Sequence, residues 1–120
     1  MRDGGGIERR RHPRGYFSFK VSAGNLEDMS SLPLTALNLS ASGLYCISPK
    51  SLGELARLDL VLHLEDVGEI PARAVVIREE RLPGDQFGLG LFFTSVSDGD
   101  RARISRVVAG ALERESKGGG

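Results

Sequence analysis

Along most of this chain apolar residues recur at every second position, the period of a strand that buries one face and wets the other. Phe17, Phe19 and Val21 share one face of a first predicted strand, and Leu32, Leu34 and Ala36 share one face of a second. Gly43 to Ile47 makes a short third. The fourth, Leu55 to Leu64, is the clearest, with Ala56, Leu58, Leu60, Leu62 and Leu64 alternating with Arg57, Asp59, Val61 and His63. Asp66-Val67-Gly68-Glu69 supplies turn chemistry before a fifth strand, Ile70 to Arg78, in which Ile70, Ala72, Ala74 and Val76 are in phase. Leu82-Pro83-Gly84-Asp85 forces another turn before a sixth, Phe87 to Thr94.

The period changes after Ser97-Asp98. Ile104, Val107, Val108, Ala111 and Leu112 recur at the offsets of one helical stripe. Ser97 and Asp100 have the spacing of a capping box, which starts the helix near Asp98, and Gly110 offers a place for close approach to the barrel. Six strands without an intervening helical pattern fit an antiparallel barrel, whose closure removes exposed edges. The expected fold class is therefore all-β, a six-stranded antiparallel barrel with a C-terminal α-helix. The helix stripe needs a partner, either a barrel face or a second copy of the chain, so both monomer and homodimer stay open.

The 120 residues suffice for one hydrophobic core. Residues 1–8 and 113–120, glycine-rich and charged, read as flexible tails around a domain over 9–112. No apolar run reaches the length of a membrane span, and the N-terminus lacks the pattern of a secretory signal, so the expected compartment is the cytoplasm. Cys46 is the only cysteine, so an internal disulfide or a cysteine metal cage is excluded, and its apolar neighbours Leu44, Tyr45 and Ile47 place it in the core.

Sixteen basic and sixteen acidic residues cancel, which argues against indiscriminate polyanion binding, yet their distribution is uneven. Arg9, Arg10, Arg11 and Arg14 cluster before the first strand, while Glu65, Asp66, Glu69, Glu79 and Glu80 lie in the second half. Pro13 stiffens the basic segment. Arginine's planar fork suits phosphate oxygens and the O6/N7 edge of guanine. Taken alone, such a run is most often a solvated basic arm. Asn38-Leu39-Ser40-Ala41-Ser42-Gly43, between the second and third strands, presents small hydrogen-bonding side chains and a glycine that permits close approach; taken alone it is an ordinary polar turn. His12 and His63 lack metal-ligand spacing, His63 falling on a wet strand face, and no phosphate loop or acid–base pair stands out, so no enzyme chemistry or cofactor is indicated.

In order and spacing the two elements resemble the PilZ family. Its pattern, two arginines separated by three residues and later Asp or Asn, any residue, Ser, any two residues and Gly, is met by Arg10 to Arg14 and by Asn38, Ser40 and Gly43, with 23 residues between Arg14 and Asn38. Leu89-Gly90-Leu91-Phe92-Phe93 is similar to the family's late strand. The resemblance spans roughly Glu8 to Leu112 and implies a PilZ-like barrel that acts as a non-enzymatic receptor for the bacterial second messenger cyclic di-GMP. It further implies that Arg10 and Arg14 grip phosphates and guanine edges, that Asn38, Ser40 and Gly43 meet a guanine from the barrel side, and that Arg9 favours two ligand molecules per chain. Ligand binding would order the arginine arm and alter a surface offered to a downstream protein partner. The alternatives are a ligand-independent adaptor of the same fold and a small nucleic-acid-binding barrel; the low aromatic content, 6%, argues against the latter.

Overall fold

The structure, a computed structural model, describes residues 14–119. Within them lie β1 (Arg14–Asn25), β2 (Ser31–Ser40), β3 (Gly43–Ser48), β4 (Arg57–Leu64), β5 (Gly68–Leu82), β6 (Gln86–Ser95) and α1 (Asp98–Gly119). The strands close into an antiparallel barrel in the order β1-β2-β3-β6-β5-β4, so that β3 pairs with β6 and β4 returns to β1. The expected class, all-β with six strands, closure and a C-terminal helix, is what the chain adopts.

The alternating residues fill the interior. Val21, Leu34, Cys46, Leu58, Leu60, Leu62, Ile70, Val76 and Leu89 are buried in one core. β4 pairs without interruption with both neighbours, Lys20 facing His63 on one side and His63 facing Glu69 on the other. It begins at Arg57, two residues later than the alternation predicts, because Leu55 has a left-handed backbone (φ 74°) and projects into solvent. A strand cannot pass through that conformation.

Four other strands carry bulges. The register shifts between Tyr16 and Phe19 in β1, between Ala36 and Asn38 in β2, between Val76 and Arg78 in β5, and at Thr94 of β6, opposite the step from Arg73 to Ala74. An extra residue in one strand reverses the inward and outward phase beyond it. Leu32, Leu34 and Ala36 point inward at even positions; after the bulge at Leu37 the buried residue is Leu39, and Asn38 is turned to the outside. In β5, Ile70, Ala72, Ala74 and Val76 point inward, and after Ile77 the side chain of Arg78 is exposed instead of entering the core.

α1 begins at Asp98, where the capping spacing predicts it. The Asp100 N–H donates to Ser97 Oγ at 3.1 Å and the Arg101 N–H to the Ser97 carbonyl at 2.8 Å. The carboxylate of Asp100 receives Arg103 Nη1 at 2.7 Å. Ile104, Val108 and Ala111 are buried, with Val107 and Leu112 packed beside them, so the helical stripe lies on the barrel of its own chain. Arg101 donates to the Ala41 carbonyl in the β2–β3 turn at 2.6 Å, and Arg103 donates to the Val67 carbonyl in the β4–β5 turn. The helix thus bridges two turns at one end of the barrel. Close approach occurs at Gly15, where a Cβ would stand 3.0 Å from that of Ala111, and not at Gly110, which faces only Arg114. The helix continues beyond Leu112, to Gly119.

Candidate ligand site on the bulged barrel wall

The residues paired across β1, β2, β3, β6 and β5 at the level of the bulges form one row. Tyr16 faces Asn38, Asn38 faces Tyr45, Tyr45 faces Gly90 and Gly90 faces Arg78. Gly90 contributes no side chain, so the row sinks between Tyr45 and Arg78 into a cavity of about 370 Å³. Arg14 closes it at the β1 side, Ile77 and Arg78 at the β5 side, and Leu44 and Leu91 contribute to its lining.

Asn38 organises one wall. Its Oδ1 accepts from Arg14 Nη1 at 2.5 Å and from the Tyr45 N–H at 3.1 Å. These bonds engage both lone pairs of the oxygen. The oxygen is therefore engaged within the protein, and the amide NH2 is the group Asn38 presents. The bond to Arg14 also joins the arginine segment to the polar turn, two elements 24 positions apart in sequence.

Ser40 and Gly43 are brought into the adjacent turn, where the structure gives both an architectural task. Ser40 is fully buried; its Oγ accepts from the Ser42 N–H at 3.2 Å and donates to the Gly43 carbonyl at 3.4 Å. At Gly43 a Cβ would collide with the Leu91 carbonyl, so β3 can lie against β6 only with glycine there. Arg9 and Arg10 lie outside the described residues.

The opposite wall carries residues the sequence analysis did not single out. Tyr45 reaches across Gly88, where any Cβ would strike its hydroxyl, and donates to Glu80 Oε2 at 2.6 Å. Glu80 Oε1 in turn accepts from Arg78 Nη2 at 2.9 Å. Burial, with the bond to Glu80, pushes the Tyr45 hydroxyl up to about 12, so it remains a neutral donor at physiological pH. The hydrogen bond from Tyr45 holds the Glu80 carboxyl below its ordinary range, with Arg78 acting in the same direction against burial. Glu80 thereby positions Arg78, leaving two guanidiniums, Arg14 and Arg78, on opposite sides of the trough. The sequence signal for this wall was Leu89-Gly90-Leu91-Phe92-Phe93, whose glycine is the trough itself. Arg78 gave none, because alternation alone sends it inward.

The remaining chemistry-bearing residues lie elsewhere. Cys46 is buried in the core, and burial raises its thiol to about 12, which leaves it protonated. His63 is half-buried at the barrel surface, with Nε2 2.8 Å from Ser22 Oγ and Nδ1 3.4 Å from Glu69. Among the described residues no cluster of His, Cys, Asp and Glu could hold a metal ion, and no helix is long and apolar enough to cross a membrane. A larger cavity, about 490 Å³, opens between α1 and the β4–β5 turn but contains none of the predicted site residues. Guanidinium and amide chemistry, not size, selects the smaller one.

The family model described as the PilZ domain matches residues 8–110. No curated protein sequence shows recognisable similarity to the chain. Among solved structures, the Bacillus subtilis inhibitor of motility MotI/DgrA is similar with a TM-score of 0.74 and 21% identity, over 91% of this chain and 52% of that one. The PilZ domain of Escherichia coli YcgR with c-di-GMP is similar at 0.69 and 21%, over 91% of this chain and 95% of that domain. The K. pneumonia MrkH–c-di-GMP complex is similar at 0.77 and 21%, over 91% and 55% respectively. The chain thus spans about half the length of MotI/DgrA and of MrkH.

Proposed function

Because the chain belongs to the PilZ domain family, we propose that it is a non-enzymatic receptor for cyclic di-GMP, which it binds on the bulged wall between Arg14 and Arg78. The observation that carries this reading is the Arg14–Asn38 hydrogen bond at the mouth of the cavity. It unites the arginine segment with the polar turn, as a site for a ligand with two phosphates and two guanines requires. The related domain of YcgR and the MrkH complex are both described with c-di-GMP.

In this reading Arg14 and Arg10 contact phosphate oxygens and guanine edges, and the Asn38 NH2 donates to a guanine acceptor. Ser40 and Gly43 hold the turn that presents Asn38. Arg9 adds a further guanidinium, sufficient acceptors for which exist in a stacked pair of ligands, giving two molecules per chain. The arm from residue 9 orders around the ligand, and the surface so formed engages a downstream protein in the cytoplasm. The functional unit is the domain over 9–112, with the ends outside it.

Titration calorimetry of the full chain with cyclic di-GMP, with GTP as control, tests the reading. Saturable binding of cyclic di-GMP alone at two per chain, falling toward one in Arg9→Leu, is the expected result. Absence of binding with the fold intact would favour the adaptor alternative.

A further inference from the structure

The larger cavity has a chemistry of its own. Phe17 and Phe19, their ring centroids 5.3 Å apart, line it together with Leu64 and with Val107 of α1. Glu65 and Asp66 from the β4–β5 turn and Glu69 from the start of β5 stand around these apolar residues with exposed side chains. Arg114 also lines it, so three carboxylates face one guanidinium. The groove suits an occupant with several positive charges.

Such an occupant leaves the barrel beside it. β1 begins at Arg14, and Gly15 rests against Ala111 of α1. Val107 and Arg114, the helix residues lining the groove, are one turn before and one turn after Ala111 on the same face. Phe17, on the groove's β1 side, is three residues from Arg14. Arg9, Arg10 and Arg11 precede Arg14 by three to five residues, a reach of up to roughly 10–18 Å. The root of β1 therefore lies between two destinations for the same arginines: the ligand cavity on the β2 side, through Asn38, and the acidic groove on the β4 side.

We infer that in the ligand-free protein the arm of Arg9 to Arg11 docks in the groove edged by Glu65, Asp66 and Glu69, and that cyclic di-GMP must draw it away. The inference rests on the proposed ligand reading for its second half only. Docked, the arginine stems cover Phe17 and Val107 while their guanidiniums meet the carboxylates. Every arginine held there is withheld from the ligand, so the groove lowers apparent affinity by the fraction of chains in which it is filled.

Two measurements on the full chain test this. In ligand-free protein, Arg9→Gln/Arg10→Gln/Arg11→Gln should shift the backbone amide NMR signals of Ser18, of residues 63–69 and of Val107, equally at every protein concentration. Shifts confined to the neighbourhood of Arg14 would overturn the docking, and shifts that grow with concentration would assign the groove to the arm of a second copy. In calorimetry, Glu65→Gln/Asp66→Asn/Glu69→Gln should tighten cyclic di-GMP binding about fivefold, as expected if the groove is filled about four-fifths of the time. Unchanged or weaker binding with an unchanged melting temperature would overturn the competition. A wild-type chain that binds no cyclic di-GMP would defeat the receptor reading, while the amide shifts, which need no ligand, would still decide the docking.

Discussion

β4 and the bulged wall are built from the same alternating pattern and do opposite things with it. In β4 every second side chain is buried, from Leu58 to Leu64, and the register with β1 and β5 runs unbroken. In β2 and β5 one extra residue reverses the phase, so Asn38 and Arg78 come out where continued alternation would bury them. An uninterrupted strand holds the core; an interrupted one spends a little pairing to aim a polar side chain. The row proposed as the site passes through all four bulged strands and avoids β4, so stability and recognition should separate in mutants.

The strongest test of that separation is Leu60→Ala, which empties a fully enclosed position in β4 and should cost about 2–5 kcal/mol in chemical denaturation. Affinity of the remaining folded protein for cyclic di-GMP should stay at the wild-type value; a parallel loss of binding would erase the distinction. Arg14→Ala should do the reverse. Loss of a charge-assisted contact worth about 1.5–3 kcal/mol should weaken binding about 10-fold to 150-fold with a melting temperature within a degree or two of wild type. Arg10→Ala should behave in the same way.

Asn38 sharpens the comparison further, because its value depends on the bulge at Leu37. Asn38→Ala removes the acceptor that places Arg14 and should weaken binding about tenfold. Asn38→Asp keeps the acceptor for Arg14 but loses the NH2 that donates to guanine, and should weaken binding less than Asn38→Ala does. Equal losses in the two variants by calorimetry would locate the role of Asn38 in its amide donor alone.

The smallest expected effect concerns Glu79, just past the bulge in β5. Its carboxylate accepts from Ser51 Oγ at 2.6 Å and from the N–H groups of Leu52 and Gly53 at 2.8 and 2.9 Å, pinning the loop between β3 and β4. Burial pushes the carboxyl upward, but these three bonds outweigh it and hold its pKa below the ordinary 4.5. A folded-state pKa below the unfolded one gives stability that is full above about pH 4.5 and fades as pH falls through the lowered value. Because the group is partly solvated, Glu79→Gln should cost only about 0.5–1 kcal/mol at pH 7, and the difference from wild type should shrink below pH 4 in urea titrations. Ligand affinity should not change.

Much of this protein follows from local chemistry, for a reason visible in β4 and α1. Alternation in β4 and the stripe from Ile104 to Leu112 are properties of neighbouring residues, and burial of one face is the same requirement whichever strand lies next door. The number of strands, the turns at Gly68 and Gly84, the start of the helix at Asp98 and the core position of Cys46 were legible on that basis. So was the polar character of the turn from Asn38 to Gly43, which its residue types announce. Pairing partners were not, because hydrogen bonds between distant strands leave no trace in the period of either. Only the closed barrel sets Asn38 against Arg14 and Tyr45, lays Tyr45 over Gly88 toward Glu80, and turns Arg78 outward across the trough at Gly90. A bulge is one extra residue opposite a partner strand, and it exists only once that partner is chosen; the wall that carries the proposed site was therefore decided by tertiary structure, while the core that supports it was already written in the chain.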